Sequence, residues 1–285
     1  MITRRCSERR NFLRPSDDTN ALIPYVLAVA AERHGIRLHG FTFMSNHCHI
    51  ALTDPLAELP AFDQYVNGII ARAMNHRLRR TEAFWAPGSY NEVVLVNPED
   101  AFDKLAYILA NPVSAGLVRR AAEWPGVWTP PELIGAGPMT VKRPDWYFRD
   151  DGPMPETATL ELFLPTCFDS PEHFRVQLAA ELAQREEGAA QRMARERRSF
   201  MGAARVLAED PFSGPRTTEP RLKLKPRIGC LDPVMRLEAI ARLRTFLAAH
   251  RAAWLAFAAG LREFVFPYGT YEMRVAYGVR CEAPA

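Results

Sequence analysis

Ile36-Arg37-Leu38-His39-Gly40-Phe41-Thr42-Phe43-Met44, then Ser45-Asn46, then His47-Cys48-His49-Ile50-Ala51-Leu52-Thr53, is the stretch that decides the fold. The first run is rich in aromatic and β-branched residues and reads as a strand. The second alternates and reads as another. Ser45-Asn46 is a turn signal, so the two form a hairpin. Gly40 marks a bulge position in the first strand. Residues two apart on a strand share a face, so His47 and His49 point the same way. Cys48 then faces the packed side, as a small hydrophobe.

Reading upstream, Asp17, Asp18 and Thr19 are helix-start residues. Leu22, Val26, Val29 and Ala30 recur at helical spacing through 20–34, and Gly35 is placed as a C-cap. Residues 2–6 give a short first strand, and the chain opens inside its text. Reading downstream, Phe62, Val66, Ile69, Ile70 and Ala73 define a helix that ends among Arg77, Arg79 and Arg80. Residues 91–97 form a strand. Pro98, Glu99 and Asp100 start a further helix that runs to Asn111, where Pro112 stops it. The order is β-α-β-β-α-β with a trailing helix. It predicts an α+β fold of the ferredoxin-like split βαβ kind, an antiparallel sheet with helices packed on one face.

The chain has 285 residues, 48% of them hydrophobic and 24% charged, and a formal net charge of +3. That permits a nucleic-acid partner without requiring one. Five widely spaced cysteines with no CxxC pair argue against a zinc ribbon or a disulfide framework and for a reducing cytoplasm. No signal peptide is read at the start, and no apolar run approaches the roughly 20 residues that span a bilayer. Pro and Gly punctuate 130–157, read as a linker between residues 1–129 and a mostly helical region, 158–285. In that region the reading gives charged helices over 172–207, a helix over 234–261 and a small hairpin over 264–279.

Two neutral imidazoles side by side can hold a divalent ion, although an isolated His-x-His is more often a surface pair. The second chemical constellation is Leu105-Ala106-Tyr107-Ile108-Leu109-Ala110-Asn111-Pro112-Val113-Ser114-Ala115-Gly116-Leu117-Val118. Tyr107 and Asn111 are four apart and share a helix face. Phe102, Leu105 and Leu109 lie on the other side, where they would pack on the sheet.

Met44-Ser45-Asn46-His47-Cys48-His49 resembles the MPNHxH signature of the REP-associated tyrosine transposases and their IS200/IS605-type relatives, with Ser45 at the proline position. Residues 107–118 resemble the YxxxNPVxAGLV text of the same single-tyrosine HUH family. Phe84-Trp85, Gly88-Ser89-Tyr90 and 123–128 also look like family text, and the likeness covers about residues 2–128. The resemblance implies that Tyr107 is the nucleophile of a single-strand DNA endonuclease and strand transferase. It implies that His47, His49 and Asn111 hold a metal, for which this donor set suits Mg²⁺ or Mn²⁺. It also implies a single-stranded or hairpin DNA substrate and a 5′-phosphotyrosine intermediate. A domesticated, inactive hairpin-binding protein and a metal hydrolase without a tyrosine adduct are the competing readings.

Residues 171–227 hold twelve Lys and Arg against eight Asp and Glu. Arg192, Arg195 and Arg198 on a helix, and Lys223, Lys225 and Arg227 beyond it, are candidate phosphate contacts. His39 reads as structural.

Overall fold

The computed structural model describes residues 1–165, 168–214 and 226–283. Lys223 and Lys225 lie outside the described residues. The first half of the chain runs β1 (Ile2–Arg5), α1 (Asp17–His34), β2 (Arg37–Phe43), β3 (His47–Thr53), α2 (Leu59–Leu78), β4 (Asn91–Glu92), β5 (Val94–Leu95), α3 (Pro98–Leu109) and α4 (Asn111–Ser114). Four strands form one sheet in the order β2-β3-β1-β4, and every pairing in it is antiparallel. β3 therefore lies between β1 and β2, the two strands that α1 connects.

Local chemistry sets the boundaries. Ser16 caps α1 by accepting from the Thr19 N–H at 3.2 Å, and Gly35 closes it in the left-handed conformation at φ 64°. Asn97 caps α3 by accepting from the Asp100 N–H at 2.7 Å, with Pro98 in the first turn. The register of β2 on β3 shifts between Leu38 and Gly40, at the glycine the sequence marks as a bulge.

The two sheet faces carry separate cores. Cys48 and Ile50 of β3 join Phe41 and Phe43 of β2 and the buried sides of α1 and α2 in one cluster. Ala51 joins Leu105, Ala106, Ile108 and Leu109 of α3 in the other. Helices were expected on one face only. α1 and α2 do share a face, but α3 covers the opposite one, because its apolar side has the residues that fit over the bulge. A Cβ at Gly40 would stand 2.8 Å from Leu105 Cδ1, so the missing side chain lets α3 settle directly on β2.

The strand expected over 91–97 is divided. β4 pairs with β1, while β5 turns away and pairs in parallel with β8 (Ile228–Gly229) from the far end of the chain. Between them, the span 130–157 that reads as a linker is structured. β6 (Met139–Lys142) pairs with β7 (Thr157–Leu160), both pack against α1, and Trp146, Tyr147 and Phe148 extend the first core. Just after β7 the chain ties into β2, since Phe163 N–H donates to Leu38 O at 2.7 Å.

Beyond it lie α5 (Pro171–Arg195), α6 (Ala203–Ala208), α7 (Pro233–Ala258) and α8 (Glu272–Tyr277). α5 packs on α3 and α4 through Phe174, Leu178 and Leu182. The hairpin expected over 264–279 is absent from the described residues. Phe266 bridges to Cys281 in parallel, and Glu272–Tyr277 winds into α8, which Gly278 closes at φ 61°. Among the described residues no helix is long and apolar enough to cross a membrane.

Candidate functional site

Strand alternation brings His47 and His49 to the sheet face covered by α3, with ring centroids 5.0 Å apart and planes nearly perpendicular. Tyr107 sits in the last turn of α3, its ring 5.7 Å from that of His49. Leu105, Ala106, Ile108 and Leu109 are buried around it, yet Tyr107 is 40% exposed, so the phenol looks outward from a fixed backbone. Asn111 opens α4, and its Nδ2 lies 3.3 Å from His49 Nε2. Four residues singled out in the sequence thus converge: His47, His49, Tyr107 and Asn111.

Neighbouring groups set the state of each imidazole. Asn46 Oδ1 lies 2.7 Å from His47 Nδ1, and the other end of that amide donates to Arg9 O at 3.1 Å. A carbonyl oxygen only accepts, so His47 Nδ1 carries the proton and Nε2 keeps its lone pair. With Asn111 Nδ2 donating to His49 Nε2, His49 Nδ1 carries the proton and donates to Thr3 Oγ1 at 3.0 Å. Thr3 can do this because it stands directly opposite His49 in the β1–β3 ladder. Burial pushes His47 down to about 4 and His49 down to about 3, the latter also by its neighbour His47, so both rings are neutral at pH 7. Neutral imidazoles with the lone pair on Nε2, oriented by second partners, are what a cation needs from histidine. No group of three or more His, Cys, Asp or Glu that could hold a metal exists among the described residues. Beside the two imidazoles stands an amide, that of Asn111.

The four side chains line one cavity of about 860 Å³. Arg5 and Arg9 approach it from β1 and the turn that follows, and Ser89 from the segment before β4. Glu8 and Arg9 are both left-handed, at φ 53° and 58°, a conformation L residues rarely hold. Their turn sets Arg9 and Asn11 on the cavity side and Glu8, Arg10 and Phe12 on the other. Beside Tyr107, Lys104 Nζ is 5.7 Å from the ring centroid and pairs with Asp103 at 3.0 Å.

The C-terminal region closes one side of this cavity through Arg198, Met201, Glu209 and Ser213. The segment 207–214 is strapped to the turn after β1. Arg14 donates to Leu207 O, Arg10 to Phe212 O, and Asn11 N–H to Ser213 O at 3.0 Å. Asn11 Nδ2 also meets Ser213 Oγ at 3.0 Å. Burial raises the Glu209 carboxyl above the ordinary carboxylate range.

The basic residues proposed from the sequence are dispersed. Arg198 lines the cavity and pairs with Glu196 at 3.0 Å. Arg192 donates to Ser114 O at 2.9 Å, which ties α5 to α4. Arg195 is exposed in the last turn of α5. Arg227 is exposed near β8 and lines a separate cavity of about 720 Å³ with Arg242. His39 is buried between Phe163 O at 2.8 Å and Thr53 Oγ1 at 2.7 Å, a structural role. Cys48 is buried in the first core.

Sequence reading missed Thr3, Asn46, Arg5, Arg9 and Glu209. The parity of β1 against β3 was the available signal for Thr3, and adjacency to His47 for Asn46. Comparison with protein-family models, curated proteins and solved structures returned no match.

Proposed function

We propose that this chain is a single-tyrosine HUH endonuclease and strand transferase, a transposase-type enzyme acting on single-stranded or hairpin DNA in the cytoplasm. The observation that carries the reading is the meeting of Tyr107 with His47, His49 and Asn111 at one cavity, from two segments about sixty residues apart. The sheet order β2-β3-β1-β4 supports it, being the order that a ferredoxin-like split βαβ fold requires.

The residues present fit a divalent ion, Mg²⁺ or Mn²⁺. His47 and His49 would hold it through Nε2, and Asn111 through its amide. Such an ion would act as a Lewis acid on a phosphate oxygen. The protein's own groups do the rest. Arg5, Arg9 and Arg198 draw the DNA backbone into the cavity. The rigid last turn of α3 presents Tyr107 Oη in line with the scissile bond. Tyr107 Oη bonds to phosphorus as the P–O3′ bond breaks. The phenol gives up its proton to solvent, and the departing 3′ oxygen takes one up. A 5′-phosphotyrosine and a free 3′-hydroxyl result. Because the phosphodiester energy is retained, another 3′-hydroxyl can attack the adduct, release the phenol and join strands.

The test is to incubate the protein with labelled single-stranded hairpin DNA and Mn²⁺ and to denature the mixture. A covalent protein–DNA band is expected, and Tyr107→Phe should abolish it while binding persists. Cutting without an adduct would make the chain a metal hydrolase. Binding without cutting would make it a hairpin-binding protein.

A further inference from the structure

Three hollows follow one another on the surface of the described residues, the first two on opposite sides of one turn and the last two sharing Arg80. The first is the Tyr107 cavity. Its wall is the turn after β1, and the far side of that wall, through Glu8, Arg10 and Phe12, lines a second hollow of about 550 Å³. Arg80 closes the second hollow and opens a third of about 580 Å³, shared with His76, Arg77, Arg79 and Trp146 at the end of α2. Along this path run Arg9, Arg10, Arg80, Arg79 and Arg77. Glu8 and Glu82 also face it, and Glu8 is already engaged by Arg10 at 3.0 Å. Arg77 leans on Asp18.

Two accessible rings, Phe212 and Trp146, lie among these arginines. Arg80 stacks over Phe12 at 3.7 Å, and Phe12 meets Phe212 edge-on at 6.0 Å. Phe212 is nevertheless 45% exposed, an open apolar face on the path. Trp146 is half-buried in the third hollow. Arg79 ends α2 in the left-handed conformation at φ 54°, and its side chain is exposed. A cationic groove interleaved with ring faces is the arrangement that holds single-stranded nucleic acid, with arginines on phosphates and rings on bases.

We infer that this groove is the exit path of the DNA strand, binding the single-stranded flank that continues from the Tyr107 cavity past Phe212 to the end of α2. The inference rests on the proposed DNA chemistry for its substrate, but it concerns a surface on which Tyr107, His47, His49 and Asn111 do not lie.

The experiment measures binding by fluorescence anisotropy in the full chain. One set of single-stranded DNAs is lengthened by up to about ten nucleotides, first on one side of a fixed core and then on the other. Lengthening on one side should tighten binding. Arg79→Gln should cancel that gain and lower the salt slope by about 0.7, the share of one single-strand phosphate contact, while binding of the unextended core stays unchanged. Phe212→Ala should weaken binding of the extended strand about tenfold, as expected from the loss of one stacked base. Equal gains in Arg79→Gln and the parent protein would overturn the inference. So would a gain that appears only when the added tract is double-stranded, or an absence of DNA binding. If length-dependent binding is lost in Arg79→Gln but no Tyr107 adduct ever forms, the groove stands and the proposed chemistry falls.

Discussion

The Asn111 amide meets Nε2 of His49 at 3.3 Å, although the two residues are 62 apart in the chain. The contact exists because β3 lies under α3 and α4 begins just past Ala110, which caps both helices. On the proposed reading this amide supplies the third ligand, through its oxygen in place of the Nδ2 that faces His49. Asn111→Ala should weaken Mn²⁺ binding by more than the tenfold or so that loss of an outer partner costs, and Asn111→Asp should preserve it. Titration calorimetry of the DNA-free protein reads this directly. Equal affinity in Asn111→Ala would remove the residue from the ligand set.

Thr3 acts one step further out. Its hydroxyl holds His49 Nδ1 at 3.0 Å and so keeps the ring's lone pair on Nε2. Thr3→Val keeps the β-branched shape and deletes the acceptor. Mn²⁺ affinity should fall about tenfold or more, with the melting temperature little changed. A variant that melts far earlier yet binds Mn²⁺ as tightly would assign Thr3 to packing alone.

Acid should destabilise the metal-free protein. Burial holds His47 and His49 down to about 4 and about 3, whereas in the unfolded chain each titrates near 6.5. Between those values the unfolded chain binds more protons than the folded one. The stability due to each neutral ring is therefore complete above about 6.5 and declines as pH falls toward 4, by at most about 1.4 kcal/mol per pH unit per ring. Asp63 works in the opposite sense, since burial raises it from 3.8 to about 6 and the folded chain keeps its proton longer. The comparison must therefore be with His49→Gln under the same conditions. Denaturant unfolding from pH 4.5 to 7 should show a shallower slope in the variant, and parallel curves would contradict the assignment.

Gly40 and Leu105 form a complementary pair. Gly40→Ala sets a methyl 2.8 Å from Leu105 Cδ1 and should cost about 1–3 kcal/mol while displacing α3 and slowing adduct formation. Leu105→Ala alone should cost about 2–5 kcal/mol. The double variant should lose less than the sum of the two, because the new methyl occupies part of the vacated space. Strict additivity would show that the bulge does not set the seat of the helix.

Much of this is legible in the sequence. β3 begins at His47 and ends at Thr53, as read from alternation, and Cys48 faces the packed side. Gly35 and Gly40 have the backbone roles their positions announce. What escaped was long-range. The prolines and glycines of 130–157 suggest a loose connection, but Trp146 and Tyr147 pack half-buried on the first core, inside a hairpin that pairs Met139 with Leu160 at one end and Lys142 with Thr157 at the other. The division of residues 91–97 depends on β8, which no local pattern links to Val94. Glu209 and Ser213 reach the Tyr107 cavity only because Arg10, Asn11 and Arg14 hold their backbone there.

β1 is among the shortest strands of the sheet, yet it is an inner one, with β3 on one side and β4 on the other. A ribosome therefore delivers the residue that orients His49 first, and its neighbours much later. Thr3 leaves the exit tunnel long before His49, and longer still before Asn91, its partner on the other flank. No nascent chain can bring Thr3, His47 and His49 together until β3 has emerged, nor cover them until α3 follows. On the proposed chemistry a growing polypeptide would thus have nothing with which to nick single-stranded DNA until residues through α3 and α4 had been made.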